Sequence, residues 1–166
     1  MDRTAFIEAM RGVANSVAVV TTDGVAGRHG ATVSAFCSVS ADPPTVLVCL
    51  KSTSHISELV RENECFKINV LPDSATHIAN RFAGVDDSRI ADRFEGIDIC
   101  NSRPPSIAGA TTFECELDQC VPSGSHQIVI GRVTAVANQT RQPLTYLDGA
   151  YHQVTPFPDY SRIAGQ

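Results

Sequence analysis

Residues 30–44 read GATVSAFCSVSADPP. Side chains alternate across an extended strand, so a period of two places Thr32, Ser34, Ser38 and Ser40 on one face and Val33, Ala35, Cys37 and Val39 on the other. A row of small hydroxyls stands where core or charged surface is expected. Two readings are open: a solvent-facing strand rich in Thr and Ser, or a face kept small so that a ligand can approach the backbone. Asp42-Pro43-Pro44 ends the segment, because proline donates no ladder hydrogen bond.

Upstream, RTAFIEAMRGV (3–13) spaces Phe6, Ile7, Met10 and Val13 as a short helix, and SVAVVTT (16–22) is a β-branched run closed by the hairpin signal Asp23-Gly24. Downstream, TVLVCL (45–50) is continuously apolar, as a strand covered on both faces would be. KSTSHISELVREN (51–63) turns helical, with candidate N-caps at Ser52 to Ser54 and an apolar stripe of Ile56, Leu59 and Val60. CFKINVL (65–71) is a strand and DSATHIANRFAG (73–84) a helix stopped by Gly84. DSRIADRFEGI (87–97) is read as a further short helix and 100–110 as loop. FECELDQCV (113–121) and HQIVIGRVTAVAN (126–138) flank a hairpin connection, Pro122-Ser123-Gly124-Ser125, and PLTYLDGAYHQV (143–154) leads into a tail at about 155–166.

Hairpin-linked strands with two or three short helices favour a mostly antiparallel barrel over a doubly wound parallel sheet, for which the strand-helix-strand passage 45–71 is the main support. No repeat or linker divides the 166 residues, so a single domain is expected.

The composition, 43% hydrophobic and 19% charged, is that of a globular chain. A net charge of -5 argues against a general grip on nucleic acid or anionic lipid. The start, MDRTAFIEAMRGVANS, lacks the features of a signal peptide and no run is long enough to span a membrane, so a cytoplasmic location is expected. Of six cysteines, Cys37, Cys49 and Cys65 sit in apolar runs without any CxxC and are read as small hydrophobes in a reduced interior. Cys115 and Cys120, five apart on one strand, are expected to face opposite ways.

Several chemistries lack their motifs. There is no GxxxxGK[ST], no GxSxG, no HExxH and no zinc spacing of His and Cys, and Gly24, Gly27 and Gly30 fall between two strands without opening a helix. Lys51-Ser52-Thr53-Ser54 opens a helix after a buried strand, which suits either a phosphate or an ordinary cap. Gly124-Ser125-His126, with Tyr146, Asp148, Gly149 and Tyr151 further on, suits either a ligand site or polar surface and core.

The ordered set SVAVVTT, GATVSAFCSVSADPP, TVLVCLKSTS, FKINVL, ANRFAG, GSHQIVIGRV and PLTYLDGAYHQV resembles the flavin reductase-like family, the FMN-binding split barrels that include reductase components of two-component flavin monooxygenases. The resemblance implies an antiparallel, Greek-key-like split β-barrel with short helices, and an NAD(P)H:flavin oxidoreductase that passes hydride from NADH or NADPH to FMN or FAD. It makes Thr32, Val33, Ser34, Ala35, Ser38 and Ser40 flavin contacts, Leu50, Lys51, Ser52 and Ser54 the phosphate side, and Arg81 and Phe82 neighbours of the cofactor's far end. His126, Tyr146 and Tyr151 are implied on the nicotinamide side, His126 as a positioning group; no residue is assigned as an obligate acid or base, and no metal is implied. A homodimer and a separate oxygenase are the implied partners. The family's usual Gly-Asp-His is here Gly124-Ser125-His126, which removes a charge, and its aromatic pair is here Tyr146-Leu147. Two rivals share the scaffold: an oxidase that retains its flavin, and a non-catalytic flavin- or haem-binding module.

Overall fold

In chain order the elements are α1 (Arg3–Arg11), β1 (Asn15–Ser16), β2 (Ala18–Gly24), β3 (Gly27–Val33), β4 (Phe36–Ala41), β5 (Pro44–Lys51), α2 (His55–Asn63), β6 (Cys65–Val70), α3 (Thr76–Phe82), β7 (Ile99–Cys100), β8 (Ser106–Ile107), β9 (Thr111–Ser123), β10 (His126–Ala137), β11 (Thr145–Leu147) and β12 (Ala150–His152). They come from a computed structural model that describes residues 2–139 and 142–157, so most of the expected tail lies outside the described residues. No helix among these residues is long and apolar enough to cross a membrane.

Seven strands form one antiparallel sheet in the order β3-β2-β6-β9-β10-β5-β4. The strands at its two ends, β3 and β4, are consecutive in the chain and joined by Ser34 and Ala35 alone. Laid flat, six strand spacings would hold those edges about 29 Å apart, whereas the link can span at most about 11 Å. The sheet must therefore curl until its edges nearly meet. They do not pair as a ladder: Cys49 N–H donates to the Ala35 carbonyl at 2.9 Å, and the split stays open beside it. This is the expected split barrel.

Alternation along β2 explains the two cores. Ala18 and Val20 face a barrel interior filled by Val48, Leu50, Phe66, Ile68 and Val129 and closed by Ile56 and Val60 of α2. Val17 and Val19 face the other way, against Leu71, Ile78, Phe82, Phe94 and Leu144. Both faces of β2 are thus buried, while α1, which buries no residue, rides outside. On the outer face of β6, the buried Lys67 ammonium donates to Ser102 and Ser106 at 2.9 and 3.2 Å and pairs with Glu114 at 3.0 Å. It ties the loop bearing β7 and β8 to the barrel, in the stretch read as plain loop.

Several expectations are corrected. The hydroxyl row of residues 32–40 is not one face: the strand breaks at Ser34-Ala35, and the register skips Val39, so Ser38 pairs with Val46 and Ser40 with Thr45, which point to opposite sides. The β2–β3 turn is Val25-Ala26, with Asp23-Gly24 still in the strand, and the later hairpin turns at Gly124-Ser125, with Pro122 paired to Gln127. In β5 only the inner residues Val46, Val48 and Leu50 are buried; Leu47 and Cys49 are half-exposed on the outer face. Residues 87–97 form turns, not a helix. Asp92 caps the Phe94 amide at 3.0 Å and Arg93 reaches back to carbonyls of Gly30 and Phe82, each at 3.0 Å, so this segment's polar groups serve tertiary contacts.

The cysteines are corrected too. A bulge in β9 leaves Asp118 without a partner, because Gln119 pairs with Ile130 and Leu117 with Gly131. Parity flips there, and Cys115 and Cys120 both face the barrel interior. Burial pushes the Cys115 thiol up to about 12, in keeping with a small hydrophobe, but Cys37 and Cys100 are exposed.

Gly131, beside that bulge, tests the packing. A Cβ there would lie 2.4 Å from the Phe66 ring and 3.0 Å from the Cys115 Cβ, and Phe66 is itself fully buried and unable to retreat. Gly131→Ala is expected to lower stability by about 1–3 kcal/mol, read as a lower denaturant midpoint at unchanged m-value.

Candidate functional site

The curled sheet leaves a groove along its split. Its floor is the end of β3 and the Ser34-Ala35 link, and three hollows of about 290, 210 and 360 Å³ adjoin there, all three lined by Ser34. The first is walled by Ala31 to Ala35, Cys49, Leu50, Lys51, Ser54, Ile56 and His126. The second lies under Tyr146, Tyr151 and Ala83, and the third runs between Tyr146 and the exposed apolar side of α1.

Each end of the groove has its own chemistry. At one, β5 delivers Lys51 directly opposite His126 of β10, and α2 begins at Ser54. The Ser54 hydroxyl turns back to the Lys51 carbonyl at 2.6 Å and does not cap the helix. The first-turn amides of α2 and the Lys51 ammonium therefore offer positive potential to an anion. The Ser52 amide donates to Ser125 at 3.0 Å, locking the Lys51–Ser54 turn to the hairpin tip. Ser125 Oγ lies 3.0 Å from His126 Nδ1 and so orients the ring. At the other end, Tyr146 and Tyr151 make an edge-on pair with centroids 5.6 Å apart, and the Tyr151 hydroxyl donates to Asn80 at 3.0 Å. The β11–β12 turn that presents them is Asp148-Gly149, both at positive φ, held to α1 through Arg11.

Most of the expected site residues converge. Thr32, Val33, Ser34, Ala35, Leu50, Lys51, Ser54 and His126 share one hollow, and Tyr146 and Tyr151 close the adjoining one. Thr32 spends its hydroxyl on the Ala79 carbonyl at 2.7 Å, which leaves its backbone as the groove surface. Others stand apart. Ser38 and Ser40 line none of these hollows, and the Ser40 hydroxyl organises the β4–β5 turn by bonding to Asp42. Ser52 contributes through its amide rather than by lining the groove. Arg81 is bound to Asp86 and the Glu95 carbonyl, and Phe82 is fully buried beneath Gly30 against Phe94. Neither lines any of the three hollows.

Sequence reasoning passed over Cys49 and Ile56, whose apolar runs carry no functional signal. It also missed His29, which stands at the outer end of β3 with its ring centroid 5.0 Å from that of His55. Burial, the Arg93 guanidinium and His55 together lower its pKa from 6.5 to about 4. Between those values the unfolded chain takes up a proton that the folded one refuses, so the folded state loses stability as pH falls through the window. His29→Gln is expected to flatten the stability profile between pH 6.5 and 4 and leave it unchanged above 7, as measured by denaturant melts at stepped pH.

A flat tricyclic ring with a phosphate tail fits this groove: the floor is small side chains and peptide, and the Lys51 end suits the anion. A family model described as flavin reductase like domain matches residues 10–155. The chain is 34% identical over 155 residues to an FMN reductase (NADH), RutF, of Acinetobacter baylyi, covering 91% of this chain and 81% of that one. Among solved structures, the styrene monooxygenase flavin reductase of Pseudomonas putida S12 superposes with a TM-score of 0.79 at 31% identity, covering 92% of this chain and 99% of that one. An NADH:FAD oxidoreductase of Streptomyces globisporus, SgcE6, solved with NAD and FAD fragments, gives a TM-score of 0.85 at 27% identity, covering 95% and 96%. With its split sheet, its groove and this match over nearly its whole length, the chain belongs to the flavin reductase-like family.

Proposed function

We propose that the chain is an NAD(P)H-dependent flavin reductase that supplies reduced flavin to a separate oxygenase. The observation that carries this reading is the continuous groove through Ser34, with an anion end at Lys51 and Ser54 and an aromatic end at Tyr146 and Tyr151. The flavin, FMN or FAD, supplies the hydride acceptor, and NADH or NADPH the donor. What the chain does is hold and orient. Lys51 and the first turn of α2 hold the phosphate, and the peptide of Thr32 to Ala35 lies along the ring, where amides can meet charge that grows during reduction. His126, oriented by Ser125 at 3.0 Å, meets the nicotinamide nucleotide from the opposite wall, and Tyr146 and Tyr151 limit its approach so that the two rings are held in contact. Such chemistry needs no general acid.

Homology to the reductase of styrene monooxygenase supports the oxygenase partner. A homodimer is proposed on the outer face of the sheet. Leu47, Cys49, Ile128 and Ile130 are half-exposed neighbours across β5 and β10, Val121 beside them is exposed, and Cys49 also lines the groove. A second copy on this face would wall the groove.

Anaerobic mixing with FMN or FAD and NADH is expected to bleach the oxidised flavin absorbance catalytically; a tightly held, unreduced chromophore would refute the reductase. His126→Ala is expected to raise the KM for NADH about tenfold with flavin Kd nearly unchanged, and an unchanged KM removes His126 from the site. Ile130→Glu, which buries a charge in the proposed interface, is expected to halve the mass measured by light scattering and to weaken flavin binding with it.

A further inference from the structure

The third hollow of the groove has no part in the proposed reduction of flavin. It measures about 360 Å³ and lies between α1 and the β11–β12 turn, walled by Phe6, Ile7, Met10 and Leu147, with Ser34 and Ala35 on its floor side. That is room for a small molecule. Phe6, Ile7, Met10 and Val13 recur at helical spacing, and such a stripe ordinarily packs on a core. Here it does not: α1 buries no residue, and the four side chains stay between 43% and 54% exposed. The helix is fastened at its C-terminal end, where the Asp148 N–H donates to the Arg11 carbonyl at 2.9 Å and the Arg11 guanidinium pairs with the Asp148 carboxylate at 3.1 Å. An apolar ligand that enters the hollow removes this surface from water.

The polar groups around the hollow select the kind of ligand. Its charged residues, Arg11 and Asp148, already satisfy each other, and the Asn15 amide donates to the Val13 carbonyl at 3.0 Å. A charged ligand, such as a ferric chelate or a nucleotide, finds no counter-charge left to meet. A neutral flat ring fits better, with Tyr146 as an aromatic wall and the Ser34 hydroxyl able to donate to a carbonyl oxygen. Position adds the last requirement. Ser34 also lines the two hollows read as the flavin and nicotinamide sides, so a molecule seated beside it lies against the edge of the flavin. A neutral, flat carbonyl compound that can take electrons from that edge is a quinone.

We propose that this hollow binds a quinone and that the chain is also an NADH:quinone reductase, with the flavin carrying electrons between the two. The assignment rests on the flavin reductase reading. Hydride passes from N5 of the reduced flavin to one quinone oxygen, and the other oxygen takes a proton from water at the open rim. The flavin is left oxidised for the next NADH. The sum is NADH, a proton and quinone giving NAD+ and hydroquinone, so no further oxidant or reductant enters.

The probe is tetramethyl-1,4-benzoquinone, whose ring has no open position through which to alkylate the exposed Cys37 and Cys100. Its binding to the full chain without flavin or NADH is measured by calorimetry, and anaerobic NADH oxidation at limiting flavin is followed against quinone concentration. Wild type, Ile7→Glu and Met10→Glu are compared; both positions lie on a helix that buries no residue, so neither charge enters the core. Wild type is expected to bind the quinone and to show a rate that saturates with it. Both variants are expected to weaken quinone Kd about tenfold or more, because a charge then faces an apolar ligand, with NADH-dependent flavin reduction changed less than about twofold. Three results overturn the assignment and leave the reductase intact: no binding to wild type, Kd unmoved in both variants, or a rate that rises linearly with quinone, as collision with released flavin gives. A halved mass of both variants in light scattering makes α1 a subunit contact and overturns it as well. Failure of wild type to reduce flavin with NADH when quinone is absent removes the reductase reading, and this one with it.

Discussion

Two residues hold the architecture together. Because Ser34 and Ala35 join strands at opposite ends of a seven-stranded sheet, the sheet has no freedom to lie flat. The curl this imposes produces the enclosed core that α2 closes and leaves an open seam. The bond from Cys49 to the Ala35 carbonyl pins the link against β5 at 2.9 Å. Fold and groove are therefore the same fact: the crossing that curls the sheet is also the floor on which a ligand would lie.

Everything that gives the groove chemistry is attached to that crossing from a different direction. β5 brings Lys51, and its register with β10 brings His126 opposite. The turn after β5 starts α2, and the 52-to-125 amide bond fixes that turn to the hairpin tip. From the far side the short β1–β11–β12 sheet presents the tyrosines, with Asp148 at φ 48° and Gly149 at φ 83° making the tight turn. Arg93, bonded to the Gly30 and Phe82 carbonyls, anchors the turns after α3 to the middle of β3. A small strand thus organises both the groove floor and these turns because its outer edge carries no further strand among the described residues.

Much of this could be read from the chain. The β-branched run SVAVVTT, the apolar stripe of α2 and the stop at Gly84 are local signals that the fold keeps, whereas the Asp23-Gly24 signal falls inside the strand and the turn comes two residues later. The convergence of residues 32–35 with Lys51, Ser54 and His126 was implied by the family resemblance that the ordered motifs carry, and not by any local period. What failed was parity over distance. A period of two runs through Ser34-Ala35 on paper, yet the chain changes sheet edge there, and single-residue bulges at Val39 and Asp118 invert every face beyond them. Residues 87–97 misled for another reason. Ile90 and Phe94 sit at helical spacing, but Asp92 and Arg93 are committed to partners outside the segment, and no single-sequence period records such commitments.

The groove floor is built from main chain and small side chains, with Thr32 turning its side-chain hydroxyl away toward α3. A surface of that kind is nearly indifferent to which amino acids compose it, provided they stay small. Divergence can then rewrite the walls, as at Ser125 beside His126 or Leu147 after Tyr146, while the main-chain floor keeps its shape.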